Sequence, residues 1–153
     1  MSETTELRET IRHLLASERL AVLATQGDGQ PYTSLVTLAA AEDLDRVIFP
    51  TLRRSTKYTH LNADARVALL LDNRCGQAPG SPDAMALTII GTAREVPPQD
   101  MAHLAQLYLS RNPHLGEFLQ DPDCALVEVH VRQYRLVRQF QDVSELDMAA
   151  EDV

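Results

Sequence analysis

The sequence predicts a mainly β fold with flanking α, built as a six-stranded antiparallel barrel with helices packed outside it. Three observations carry that expectation. Six short apolar or alternating segments are separated by turn-forming residues. The last of them slips its apolar phase by one residue, as a strand does at a β-bulge that helps curl a sheet. No Gly-x-Gly-x-x-Gly run follows the first strand, and no crossover helices separate the early strands, which excludes a doubly wound parallel sheet.

The elements follow in order. Leu7, Ile11, Leu14 and Leu15 recur at helical spacing, so the N-terminal segment reads as an amphipathic helix, with Ser2, Thr4 and Thr5 offering capping oxygens. Leu20 to Thr25 is a short apolar run of the kind a buried strand needs. Gly27-Asp28-Gly29 supplies turn chemistry, and Pro31 to Leu38 resumes as the second arm of a hairpin. Glu42, Asp43 and Asp45 mark a turn before the strand Arg46 to Phe49. A short helix spans Ser55 to Asn62, capped by Ser55 or Thr56, and a fourth strand spans Arg66 to Asp72.

The stretch Asn73 to Asp83, with two Gly and two Pro, reads as a long loop. Alternation resumes at Met85 and runs to about Val96. Pro97-Pro98 opens a helix with Met101, Leu104, Ala105 and Tyr108 on one face, and Asn112-Pro113 ends it. In the final strand Val127, Val129 and Val131 point inward while Glu128, His130 and Arg132 alternate outward; beyond them Tyr134 and Leu136 take over the inward phase. The domain is expected over residues 1–142, with 143–153 as an acidic tail, frayed from Glu145 onward.

Composition narrows the function classes. A chain of 153 residues with 44% hydrophobic residues suits one domain with a real core. No basic-then-apolar leader or long apolar run is present, so a soluble, cytoplasmic protein is expected, with no membrane partner. The two cysteines, Cys75 and Cys124, have no metal-like spacing and suit a reducing compartment. With 22 acidic residues against 14 basic ones the net charge is -8, which disfavours nucleic acid.

Against that acidic background, Arg53, Arg54 and Lys57 fall within five positions. They lie where a strand hands over to a helix, and the free N–H groups of a helix N-terminus attract anions. Ser55 and Thr56 add hydroxyls, and the cations add charge and forked donors. The pattern fits a phosphomonoester site and equally fits a capped helix with solvated arginines.

Read with its neighbours, this stretch becomes more specific. Phe49-Pro50-Thr51, Ser55-Thr56-Lys57-Tyr58 and Leu61-Asn62-Ala63-Asp64-Ala65-Arg66-Val67 resemble the central motif of the pyridoxamine 5'-phosphate oxidase-like family. Val22 to Thr25 with Gly29-Gln30-Pro31 and Ser34-Leu35-Val36 is similar to that family's first hairpin. Leu87 to Ala93 is similar to its glycine-bearing strand. The order is kept over roughly residues 5 to 140.

The resemblance implies a split barrel of the FMN-binding type, a homodimer with FMN at the subunit interface and a small-molecule substrate. By motif match Ser55, Thr56 and Lys57 would hold the phosphate, with Pro50 and Thr51 near the flavin edge. Ser34, Leu35 and Val36 would lie along the ring. Arg53 and Arg54 are candidates from charge and position. The partner subunit would contribute from the Met85 to Ala93 strand and from Gln139 and Phe140, by their place near the end of the last strand.

Departures bear on activity. Ser34-Leu35-Val36 stands where the true oxidase has Arg-x-Val, Met85-Ala86 stands where it has Arg-Gln, and its C-terminal Arg-x-His has no counterpart. The expectation is therefore an FMN-dependent electron- or hydride-transfer protein that is not a pyridoxine-phosphate oxidase. The rival expectations are a non-catalytic flavin- or haem-binding module and a deazaflavin-dependent enzyme on the same barrel. Neither a Gly-x-Ser-x-Gly nor a His-Glu-x-x-His pattern occurs.

Overall fold

The computed structural model describes residues 2–75, 77–139 and 142–148. Helix α1 (Glu3–Ser17) starts where the Ser2 side chain accepts from the Thr5 N–H, and it buries Ile11, Leu14 and Leu15. The hairpin follows as β1 (Leu20–Gly27) and β2 (Gln30–Thr37). Its turn places Asp28 at φ 52° and Gly29 at φ 80°, the two left-handed positions that a two-residue hairpin loop requires. After a two-residue strand β3 (Ala39–Ala40) come β4 (Arg46–Leu52), helix α2 (Thr56–Ala63), β5 (Arg66–Asp72) and β6 (Met85–Glu95). Helix α3 (Pro98–Arg111), a 3-10 turn (Pro113–Leu115) and α4 (Gly116–Gln120) lead to β7 (Cys124–Arg138) and β8 (Asp142–Asp147).

All strand pairs are antiparallel, and they follow one curled path whose two ends, β2 and β3, are consecutive in the chain. β1 pairs with β2 and β5, β5 with β6, β6 with β7, β7 with β4, and β4 with β3. The seam is covalent. β2 stops at Thr37, Leu38 still donates its N–H to the Arg19 carbonyl at 2.7 Å, and the chain then crosses to β4 as β3. Counting β2 and β3 as one bent strand, six strands form the barrel that the alternation predicts.

The expected bulge is present. Ile90 pairs with Gln133 and Gly91 with Val131, so Arg132 is the extra residue on β7. A Cβ on Gly91 would lie 2.2 Å from the His130 carbonyl oxygen, so the strands approach there more closely than a side chain allows.

One core fills the barrel, with Phe49, Leu69, Ile89, Val129 and Tyr134 among its buried members. A second lies outside, where Leu104 and Tyr108 of α3 cover Ile48 and Leu126. The remaining outer face, on β1, β2 and β5, leaves Leu20, Leu35 and Leu70 exposed at 59%, 63% and 43%. Among the described residues no helix is long and apolar enough to cross a membrane.

Three expectations change. Residues 143–147, expected to begin the acidic tail and to fray from Glu145, belong to β8 (Asp142–Asp147), which runs along the C-terminal half of β7. Leu146 and Met148 drive this by burying against the barrel core, while the acidic residues of β8 face out. Helix α4 lies where no helix was expected. Glu128, read as facing outward from the barrel, is fully buried. Its face of β7 lies beside the second core, and Arg46, Arg94 and His130 close over the carboxylate with contacts of 3.1, 2.7 and 3.1 Å.

Candidate functional site

The strand-to-helix junction is built locally. β4 ends against the start of β7, with Thr51 opposite Ala125 and Leu52 opposite Cys124. A tight turn follows, in which the Ser55 N–H donates to the Leu52 carbonyl at 3.0 Å. Ser55 then caps α2, its Oγ accepting from the Tyr58 N–H at 3.3 Å and sharing a 3.0 Å hydrogen bond with the buried Thr51 Oγ1. In such a cap the N–H groups of Thr56 and Lys57 have no acceptor within the helix.

This junction opens into a cavity of about 300 Å³. Leu35 and Val36 of β2, Pro50 and Thr51 of β4, and Ser55 and Lys57 at the start of α2 all line it. The structure therefore brings together six of the residues singled out from sequence, drawn from segments up to 22 positions apart (35 to 57). Lys57 is the chain's one lysine, and it makes no ion pair or side-chain hydrogen bond among the described residues. Ser34, the next residue on β2, does not line the cavity, but its Oγ is buried without a hydrogen-bond partner.

The arginines are placed differently. Arg53 does not line the cavity; its guanidinium meets Glu95 at 2.6 Å and donates to the carbonyls of Pro122 and Cys124. Burial works against charge on Glu95, yet hydrogen bonds from Arg53 and from the Tyr58 hydroxyl at 2.6 Å outweigh it and hold the carboxyl below its ordinary range. Arg54 pairs with Asp123 at 2.9 Å. Charge and position marked both as anion candidates; each instead meets a carboxylate, 42 and 69 residues downstream, and neither lines the cavity.

Thr56 is exposed as the first residue of α2 and does not line the cavity. Gln139 occupies a turn at φ 52° between β7 and β8, also away from the cavity lining, and Phe140 lies outside the described residues.

Sequence reasoning missed the far wall, formed by Tyr108, Leu115 and Phe118. Tyr108 was legible only as a core-facing residue of α3. It is fully buried, and its hydroxyl donates to the Thr37 carbonyl at 2.9 Å, tying the helix to the barrel seam. Burial pushes its phenol pKa up, so it stays a neutral donor. His60 does not reach the cavity; it bonds the Thr25 hydroxyl at 3.1 Å, takes the Tyr32 ring edge-on, and sits over Gly27. Among the described residues no group of three His, Cys, Asp or Glu could hold a metal ion.

The site thus offers one unneutralised ammonium, free helix N–H groups, small hydroxyls and an apolar far wall. That donor set fits a phosphate attached to a flat apolar body.

Comparison with known proteins agrees at the level of fold. The chain superposes on a haem-binding protein of Mycobacterium smegmatis with a TM-score of 0.82 at 17% identity, covering 98% of this chain but 60% of that one. A Clostridium acetobutylicum protein related to general stress protein 26, described as of the pyridoxinephosphate oxidase family, gives 0.72 at 16%, covering 97% and 99%. A FAD-binding protein of Mesorhizobium loti gives 0.66 at 18%, covering 81% and 88%. No curated protein matches the sequence. The sequence profile described as pyridoxamine 5'-phosphate oxidase matches residues 7–138, from the second turn of α1 to the end of β7, and the chain therefore belongs to the pyridoxamine 5'-phosphate oxidase family of split barrels.

Proposed function

We propose that this protein is an FMN-binding flavoprotein that works as a homodimer and transfers electrons or hydride to a small substrate. The observation that carries the reading is the lone lysine, Lys57, held without a counter-ion at the mouth of α2 beside Ser55 and Thr51. An uncompensated cation in a chain of net charge -8 is a place for an anion. Lys57, Ser55 and the first N–H groups of α2 would hold the phosphate. Leu35, Val36 and Pro50 would support the ring, and the orphaned Ser34 Oγ has hydrogen-bonding capacity left for it. Bound flavin supplies hydride or single-electron transfer, and the chain's residues orient it and exclude water.

A homodimer is supported by the outer face of the barrel. Val22 pairs with Leu35 on one side and Leu70 on the other, which sets three apolar side chains in a row across β2, β1 and β5, with Leu20 beside them. An exposed apolar row of this kind, continuous with the Leu35 wall of the cavity, suits burial against a second copy. A flavin partly held by one chain would then be covered by the other.

The cavity favours flavin over haem. Haem iron takes His, Cys, Met or Tyr as its protein ligand. Among the lining residues only Tyr108 is of that set, and its hydroxyl is already committed to Thr37.

An absorbance spectrum of the purified protein with and without added FMN, taken with its mass in solution, tests the reading. A flavin band carried by a dimer is expected. A protein that takes up neither FMN nor colour, or that takes up haem or a deazaflavin in place of FMN, overturns it.

A further inference from the structure

On the outer face of the sheet, at the β-bulge, a groove of about 350 Å³ runs over β5, β6 and β7. It shares no lining residue with the Lys57 cavity. Its floor is backbone at Gly91, and its rim carries Arg66, Thr92, His130 and Arg132. Two guanidiniums and an imidazole meet here, and because Asp64 offsets Arg66 and Glu128 faces His130, Arg132 is the groove's cation without a carboxylate partner among the described residues.

Each of the three is placed by the fold. Arg132 is the extra residue of the bulge, so it leaves the alternation of β7, and its carbonyl is fixed by the Met148 N–H at 2.8 Å. Its guanidinium has no hydrogen bond or ion pair among the described residues, whereas Arg46, Arg53, Arg54, Arg66, Arg74, Arg94 and Arg135 each meet a carboxylate. Arg66 is clamped by Asp64 through Nε at 3.0 Å and Nη2 at 2.7 Å, which steadies it while its side chain stays 77% exposed.

His130 is gripped through Nε2 by the buried Glu128 at 3.1 Å, a bond that orients the ring and leaves Nδ1 unused. In the register Arg66 lies opposite Thr92, and Thr92 opposite His130, so these three form one row across the strands.

We propose that this groove binds the anionic group of a small molecule, a phosphate or a carboxylate, with Arg132 as its main donor and Arg66, Thr92 and His130 beside it. A free guanidinium offers paired N–H donors that match either oxyanion. The groove's size and the surrounding acidity favour a small anion over a polyanion such as nucleic acid. The site is separate from the one proposed for FMN phosphate, and it would hold the acidic end of a substrate or effector.

Backbone amide chemical-shift mapping tests this, with inorganic phosphate and acetate titrated separately into the intact protein. The expected result is saturable shifts at Gly91, Thr92, His130 and Arg132 with one of the two ions. These should persist in Lys57→Ala, which removes the other anion site. They should weaken by roughly tenfold in Arg132→Gln, the loss expected of a charge-assisted contact. Arg66→Gln serves as the second variant if Arg132→Gln does not fold, and it should weaken the same shifts.

Shifts that do not saturate, that survive both arginine substitutions, or that vanish in Lys57→Ala would overturn the proposal. Because the Lys57 variant is scored separately, loss of FMN binding and loss of this site are distinguishable.

Discussion

Arg53 commits its guanidinium to Glu95, 2.6 Å away, and leaves Lys57 as the cation of the neighbouring cavity. The pair is about two-fifths exposed on both sides, so it is worth only about 0–1 kcal/mol of stability. Arg53→Ala should therefore change FMN affinity by less than about threefold, because the ion pair it removes lies outside the site. Flavin fluorescence titration measures it.

Lys57→Ala should behave in the opposite way. Removing one charge-assisted hydrogen bond costs about 1.5–3 kcal/mol, so FMN affinity should fall roughly ten- to a hundredfold with thermal stability nearly unchanged. If affinity stays at the wild-type level, the phosphate is held elsewhere.

Glu128 and Asp45 set opposite pH trends. Burial opposes charge on Glu128, but hydrogen bonds from Arg94, His130 and Arg46 outweigh it and depress its pKa below the ordinary 4.5. Its contribution is present above 4.5 and is lost as pH falls through the lower folded value. Glu128→Ala leaves Arg46 and Arg94, which are partly open to water, without their shared carboxylate and should cost about 1–3 kcal/mol at neutral pH.

Asp45 is raised to about 6, by burial first and then by the Asp43 carboxyl beside it. A raised carboxyl is stabilising only while protonated, so its effect fades as pH rises from about 4 to about 6. Asp45→Asn should be more stable than the parent above pH 6 and should lack that fading. Denaturation midpoints measured from pH 3 to 8 (roughly the span over which these carboxyls titrate) check both residues.

Two glycines separate backbone from side-chain crowding. At Gly91 an added methyl meets the His130 carbonyl at 2.2 Å and Val129 Cγ1 at 2.9 Å, and the carbonyl is held in the sheet. Gly91→Ala should cost about 1–3 kcal/mol or more. At Gly27 the nearest atoms to the methyl are all in the His60 ring, with Nε2 at 2.4 Å, and that side chain can swing away at the cost of its Thr25 bond. Gly27→Ala should be the milder change in a thermal melt.

Leu35→Glu or Leu70→Glu places charge in the exposed apolar row. On the proposed homodimer, the mass in solution by light scattering should drop from twice 17.0 kDa to 17.0 kDa. An unchanged mass would move the dimer interface to another face.

Much of this was readable in the sequence because local chemistry decided it. Asp28-Gly29 requires a hairpin turn, Ser55 caps the helix it precedes, and the phase slip between Val131 and Tyr134 is the bulge itself. What was not readable depended on distant partners. Alternation predicts that Glu128 faces water, and only the fold brings Arg46 from β4 and Arg94 from β6 to its two sides. Arg53 looked like an anion ligand because Glu95 is far away in sequence. In β8 only Leu146 is buried, too little pattern to distinguish a strand from a polar tail. The outer wall residue Phe118 sits in a five-residue helix, too short to show a period.

The covalent seam at Leu38 has a consequence for how the protein is made. The cavity wall at Thr51 depends on a strand that pairs it with Ala125, and the seam is pinned at Thr37 by Tyr108. Pairings of such long sequence separation form late in folding, after the local hairpin β1–β2. A chain emerging from the ribosome can therefore assemble its hairpin and its α2 cap early, but it has no finished pocket until β7 arrives. A ligand of this cavity would meet a finished pocket only once β7 has joined, and it would stabilise the completed barrel without guiding its first steps.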